Sequence, residues 1–209
     1  MRRTLLRMRL PLAVFILAIL VLSVASFAVF NSVFAAHVEG DHFKLETRYV
    51  DIDFPRNWYA FPWEDKNISG TKYGILLAPT ELRASMFILV YDKDATKAYV
   101  EQNGILDAPS LVVFELERLF NWTLEKSENA TLHFLKNGTV DVSGYTLTYS
   151  TVMMEKGYVD DQGKNYNWTW TFMSYVSDKI LQITYHGVEE DYGKALNSFQ
   201  VILNSTKVK

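Results

Sequence analysis

The chain has 209 residues, a formal net charge of −3 and no cysteine. Without cysteine it cannot form disulfides or thiolate metal sites, so a domain outside the cell must be stable from its core alone. Without the four arginines near the N-terminus the net charge falls to −7, which disfavours nucleic acid as a partner and adhesion to an anionic lipid surface.

The first feature along the chain is an apolar run preceded by arginines. Four arginines lie within residues 2–9, and residues 10–30 carry no charge. A run of this length can cross the hydrocarbon core of a bilayer as one helix at about 1.5 Å per residue. Because positive charge favours the cytoplasmic side, the sequence predicts a single-pass signal anchor in the cell membrane, with the following chain outside the membrane.

This topology divides the chain into four parts. We expect a basic cytoplasmic stub over residues 1–9, the transmembrane anchor over 10–30, a short juxtamembrane linker over 31–42 and one extracytoplasmic domain over 43–209. Cleavage near Ala35 is the alternative, because small residues there would suit a processing site.

Potential glycosylation sites agree with an exterior location. Asn-X-Ser/Thr sequons occur at six positions, more than the Asn, Ser and Thr content gives by chance: Asn67, Asn121, Asn129, Asn137, Asn167 and Asn204. They indicate a glycoprotein of an archaeal-type or eukaryotic cell surface. The alternative is that Asn and Thr simply cluster in polar strands and turns.

Strand patterns dominate the first half of the expected domain. Alternating or short apolar segments cover residues 43–54, 58–63 and 73–78, and Pro55 and Pro79 end two of them. Residues 84–91 are apolar at both odd and even positions. A strand of that kind needs cover on both faces of its sheet, which predicts helices or loops on each side.

Helical patterns can supply this cover. They are residues 94–102, a stretch opening at Asp107 and Pro109, and an apolar stripe from Val188 to Leu203. Strands are expected at about 131–135, 142–153, 166–175 and 179–186, with Asn137-Gly138 and Ser177-Asp178 as turns. Together these patterns predict an α+β domain whose sheet is covered on both faces.

Two segments resemble a known family. YVDIDFPRNW, residues 49–58, and ILQITYHGVEEDYGKALNSFQVILNSTKV, residues 180–208, are similar to the opening and closing units of PsbP-like domains. The resemblance covers residues 43–208 and implies an antiparallel sheet covered by helices on both faces, that is, an αβα sandwich within the α+β class. It also implies an accessory, assembly or ligand-associating role in a membrane complex, since most members lack established catalysis. The anchor and the sequons depart from the members of the thylakoid lumen, so no photosynthetic role is implied.

Aromatic residues give the strongest candidates for binding a ligand or partner. The segment contains Trp58, Tyr59, Phe61 and Trp63, side chains that combine a large apolar body with, in Trp and Tyr, one polar atom. Core or rim packing is the alternative. The aromatic residues at alternate positions 168, 170 and 172 share one face of a predicted strand, and we interpret them as core packing.

Metal binding has only weak support. His37 and His42 lie in the segment HVEGDH, whose ligand types suit Zn(II), Cu(II) or Ni(II), but the spacing matches no established motif and a solvated linker is the favoured interpretation. Asp160 and its neighbours suggest a calcium-binding turn, although a hairpin loop fits them better because an EF-hand needs further ligands. No cofactor is expected.

The sequence contains none of the common catalytic motifs. His133 and His186 lie in predicted strands, where we interpret them as structural. We therefore expect a non-catalytic accessory or interaction domain, associated with a membrane or cell-surface protein complex. The alternatives are a surface protein that binds a small ligand or metal through the sheet aromatics, and an enzyme of unrecognised class.

Overall fold

The structure is a computed structural model that describes residues 36–39 and 41–209. The predicted stub and anchor lie outside the described residues, as does residue 35, near which cleavage was considered. None of the helices in the described part of the chain has both the length and the apolar character that a membrane span requires.

The elements follow one another in the order of strands, two helices, four strands, a helix and a short strand. The strands are β1 (Ala36–Glu39), β2 (His42–Glu46), β3 (Val50–Pro55), β4 (Trp58–Asn67), β5 (Gly70–Pro79), β6 (Ala84–Tyr91), β7 (Thr131–Val142), β8 (Tyr145–Val159), β9 (Asn165–Val176), β10 (Ile180–Val188) and β11 (Lys207–Val208). The helices are α1 (Lys93–Asn103), α2 (Ala108–Lys126) and α3 (Glu190–Ser205).

The strands form two antiparallel sheets. The large sheet has the order β4-β5-β6-β10-β9-β8-β7, and the small sheet has the order β1-β2-β3-β11. The prediction of a mixed fold with a large antiparallel sheet and helices is confirmed. The small sheet was not predicted, and it takes β1 from within the expected linker and β11 from the chain that follows α3.

The helices lie on both faces of the large sheet. Leu181 and Ile183 of β10 share a core with the buried Phe199 of α3, on the side that also contacts the small sheet. Ile180, which has the opposite orientation on the same strand, packs with α1 and with Leu111 of α2. The central strands are therefore buried on both faces, as the apolar pattern of residues 84–91 requires.

Side-chain caps determine where α1 and α2 begin. The Asp92 carboxylate accepts a hydrogen bond from the Ala95 backbone N–H at 2.9 Å, and Gly104, which follows the last residue of α1, has a φ of 65° that suits glycine. Asp107 and Ser110 form a reciprocal capping box at the start of α2. The sequence prediction named Asp107 for the start of α2, but it began the first helix at Asp94, two residues after the Asp92 cap.

The prediction of a turn at Asn137-Gly138 is wrong. Both residues lie inside strand β7, which pairs with β8 on either side of an irregularity between Phe134 and Lys136. A Cβ at Gly138 would lie 3.1 Å from the Tyr149 ring, so glycine allows a close approach between strands. The turn that joins β7 to β8 uses residues 143 and 144, both with positive φ.

Candidate functional site

One face of the large sheet, the side that carries α1 and α2, is rich in aromatic side chains, and we call it the aromatic face. Strand register places Phe61 beside Leu76, which pairs with Phe87 on β6. Further across, His186 of β10 pairs with Trp170 of β9. Because alternate residues of a strand share a face, Trp168 and Phe172 lie on the same side as Trp170.

A cavity of about 560 Å³ opens between α2 and this face, and we call it the aromatic cleft. Its lining combines apolar and charged side chains: Glu115, Arg118, Leu119, Asn121, Trp122, Glu125, Trp168, Trp170 and Phe172. The volume is within the range of small-molecule sites, which are mostly apolar with a few polar groups. The helix contributes the charged wall, and β9 contributes the aromatic floor.

Trp170 is the centre of the floor. Its ring stacks against the imidazole of His186 at a centroid distance of 3.9 Å, and lies nearly parallel to Phe172 at 5.6 Å. Trp168 meets it edge-on at 4.5 Å. Within the described residues the buried Trp170 Nε1 has no hydrogen-bond partner, although buried donors in folded proteins nearly always have one. The floor is therefore a set of rings in mutual contact that retains one unsatisfied donor.

The helical wall carries more negative than positive charge. Glu115 accepts a hydrogen bond from the Tyr99 hydroxyl at 2.8 Å and pairs with the Arg118 guanidinium at 3.1 Å. These two charges therefore largely cancel each other. Glu125 is exposed and has no salt bridge in the part of the chain that the structure describes. It gives the cleft an uncompensated negative charge at its rim.

His186 lies beside the floor and is held by two hydrogen-bond partners. The Trp168 indole N–H donates to Nδ1 at 3.1 Å, and Nε2 lies 2.6 Å from the Ser85 hydroxyl oxygen. An indole nitrogen can only donate, so Nδ1 must be unprotonated and the neutral ring carries its proton on Nε2. That tautomer donates to Ser85 and has no lone pair on Nε2 with which to remove the Ser85 proton. Burial lowers the pKa of His186 to about 3, which keeps the ring neutral.

The four aromatic residues predicted as ligand or partner candidates separate onto two faces. Trp58 is only 2% exposed and packs edge-on against Phe199, on the side of the sheet opposite the aromatic face. Tyr59 is 58% exposed and Phe61 is 51% exposed, both on the aromatic face. Trp63 lies on the same face over Gly74, where a Cβ would clash with the indole ring.

The cleft itself was missed by sequence reasoning. Three of its floor residues were assigned to core packing, and Trp122, which is 48% exposed, was not considered. A signal for Trp122 does exist, because it lies on α2 beside the stripe of buried residues at 112, 116 and 123 instead of within it. A large aromatic residue at the margin of an amphipathic helix indicates a groove wall.

All six sequon asparagines are exposed: Asn67, Asn121, Asn129, Asn137, Asn167 and Asn204. Asn121 lies at the rim of the aromatic cleft. The hydroxyl groups of Thr123 and Thr206, which complete two of the sequons, are buried and donate to backbone carbonyls within their helices. Their hydroxyl groups are therefore not presented by the folded domain. Glycosylation stays a prediction.

The predicted metal candidates are only partly described. The backbone of His37 pairs with Lys44, and that of Glu39 pairs with His42. Among the described residues, no three His, Asp or Glu side chains come together as metal ligands. Asp160 accepts backbone hydrogen bonds from Gln162 and Lys164, as expected for a hairpin turn.

The fold and the cleft define an α+β domain with an aromatic cleft between one helix and its main sheet. No family model and no curated protein sequence matches the chain. Similar solved structures include cyanobacterial PsbP of Synechocystis, with a TM-score of 0.47 and 9% identity over 82% of this chain and 95% of that one. LpqN of Mycobacterium tuberculosis, described as involved in cell envelope biogenesis, has a TM-score of 0.45 and 13% identity over 77% and 83%. A Bacteroides thetaiotaomicron protein has a TM-score of 0.39 and 9% identity. The match covers 77% of this chain, and this chain spans only 45% of that protein.

Proposed function

We propose that this chain is a membrane-anchored, extracytoplasmic, non-catalytic domain of the PsbP-like type, which binds a small amphipathic ligand in the aromatic cleft. The observation that supports ligand binding is the cleft itself, a cavity of about 560 Å³ with an aromatic floor and a charged wall. The proton on His186 Nε2 supports a non-catalytic role, because it leaves Ser85 without a base.

Trp122→Ala is expected to weaken binding of an amphipathic probe by about tenfold, because it removes the largest side chain that α2 contributes to the cleft. Octyl glucoside, used below its micelle-forming concentration, is a suitable probe with an eight-carbon chain and a neutral head group. Isothermal titration calorimetry measures the affinity. Because Trp122 is about half exposed, the variant is expected to fold.

Tyr59→Ala is the matched control for this experiment. It removes an exposed aromatic side chain from the same face of the sheet but outside the cleft. We expect it to keep the wild-type affinity for octyl glucoside. Equal losses in the two variants would contradict binding in the cleft. The proposed function would be contradicted if the wild-type protein bound neither octyl glucoside nor octyl amphiphiles with a charged head group.

The location rests on the N-terminal sequence. The uncharged run of residues 10–30 and the four preceding arginines support retention as a signal anchor, with the domain outside the membrane. Protease added to intact cells is expected to remove the domain while leaving the membrane segment, so that the signal of an antibody against the domain is lost. Complete protection in intact cells, together with digestion after lysis, would contradict this topology.

A role as an accessory domain of a membrane or cell-surface protein complex is the second candidate. It is favoured by the exposed rings of Tyr59 and Phe61 on β4, an edge strand of the large sheet. Edge strands and exposed aromatic side chains are common features of protein interfaces. We expect a partner to copurify with the wild-type chain from gently solubilised membranes and to be lost in Phe61→Ser. A chain that elutes alone would count against this role.

A further inference from the structure

We infer that the aromatic cleft selects amphiphiles with a cationic head group, such as an ammonium or amine joined to an apolar chain. This inference rests on the proposed function and adds the chemical class of the ligand. It is carried by the charge distribution of the cleft, by the arrangement of its aromatic rings and by the separation of its polar and apolar parts.

The charged residues of the cleft leave a negative charge to be matched. Glu115 and Arg118 form a pair with each other, at 3.1 Å, and Glu115 is also bound by Tyr99. Glu125 lies on the same side of α2 and has no salt bridge among the described residues. A cationic head group beside Glu125 would balance this carboxylate, whereas an anionic head group would be repelled by it.

The aromatic rings near Glu125 offer a second attraction for a cation. Trp122 on the helical wall and Trp168 in the floor lie 5.8 Å apart with their planes inclined by 54°, so the two rings meet at an angle where wall and floor join. Ring faces attract cations within about 6 Å, and tryptophan does so most strongly. The same face of the sheet already uses this interaction, since the ammonium of Lys72 lies 5.4 Å from the centroid of the Trp63 ring.

The arrangement of the cleft gives an amphiphile one orientation. Trp170 and Phe172 belong to the floor of the cleft, which contains no charged side chain. The charged lining residues all come from α2 at the rim. An apolar chain placed against the floor loses contact with water, and its head group remains at the rim next to Glu125. The reverse orientation would bury the charge without a partner, at a high cost in free energy.

A series of three octyl amphiphiles that differ only in the head group tests this inference. They are octyltrimethylammonium, octyl glucoside and octyl sulfate, each used below its micelle-forming concentration in calorimetric titrations at low ionic strength. We expect octyltrimethylammonium to bind about fivefold more tightly than octyl glucoside. We expect octyl sulfate to bind most weakly of the three. Equal affinities would overturn the selection for cations and leave the proposed function intact, whereas no binding by any of the three would contradict both.

Glu125→Gln tests the source of the selectivity. We expect it to weaken the binding of octyltrimethylammonium about threefold and to leave the affinity for octyl glucoside unchanged, because only the charged head group loses a partner. Glu117→Gln is the control, since Glu117 is an exposed carboxylate on the same helix that does not line the cleft. Equal effects of the two variants would show that the preference comes from the net charge of the domain and would overturn the assignment to the cleft.

Discussion

Replacing Gly187 with valine is expected to lower the free energy of unfolding by about 3 kcal/mol or more. A Cβ at this position would lie 2.6 Å from the Cα atom and 2.7 Å from the backbone nitrogen of Tyr192. Because both are backbone atoms of α3, no side-chain rotation can relieve the contact, and strand β10 or the helix must move. Urea denaturation followed by circular dichroism measures the loss.

Gly193→Ala is the matched control for this substitution. Gly193 lies in the same helix, and a Cβ there would have no heavy atom within 4 Å outside the helix backbone. Alanine in a helix is favoured over glycine, so we expect the free energy of unfolding to rise by about 0.5 to 1 kcal/mol. If both variants lost similar stability, the close contact at Gly187 would not be the cause.

His186→Gln is expected to make the domain less sensitive to mild acid. The pKa of His186 falls from 6.5 to about 3 in the folded protein, because burial penalises the charged ring. Between pH 7 and 5 the unfolded chain therefore binds a proton that the folded protein does not, and the free energy of unfolding decreases as the pH falls. This residue alone lowers the stability by about 2 kcal/mol at pH 5 relative to pH 7.

The glutamine variant has no imidazole to protonate, and its amide can both accept from Trp168 and donate to Ser85. The measurement is the free energy of unfolding of both proteins at pH 8, 7, 6 and 5. The difference in the free energy of unfolding between the two proteins should be nearly constant from pH 8 to 7. At pH 5 it should have changed by about 2 kcal/mol in favour of the variant. Parallel profiles down to pH 5 would show that His186 is not kept neutral by burial.

Local signals in the sequence predicted the helix starts to within two residues, and they predicted one hairpin wrongly. Asp92 and Asp107 act as caps at the starts of α1 and α2, because capping depends only on residues within one turn. Asn137-Gly138 is a typical turn sequence, yet pairing with β8 keeps it in an extended strand. Ser143-Gly144 provides the turn instead, and the choice between the two depends on strand register, which a local pattern does not determine.

The candidate site was harder to predict because it combines distant parts of the chain. Alternation along β9 places Trp168 and Trp170 on one face, but it does not reveal how much of that face a helix covers. That depends on where α2 crosses β8 and β9, and Trp122 joins the cleft only through this crossing. In the same way, the alternation of side chains along a strand places Trp58 and Tyr59 on opposite faces, but it does not show which of them is buried.

The position of β10 between β6 and β9 has a consequence for the order in which the domain assembles during synthesis. Strand β6 leaves the ribosome long before β10, with α1, α2 and three strands between them. Until β10 arrives, one edge of this very apolar strand has no partner, and exposed edges of that kind promote aggregation. The interval before β10 emerges is therefore when a nascent chain most needs protection by chaperones, and closure of the sheet through contacts this distant in sequence is expected to be slow.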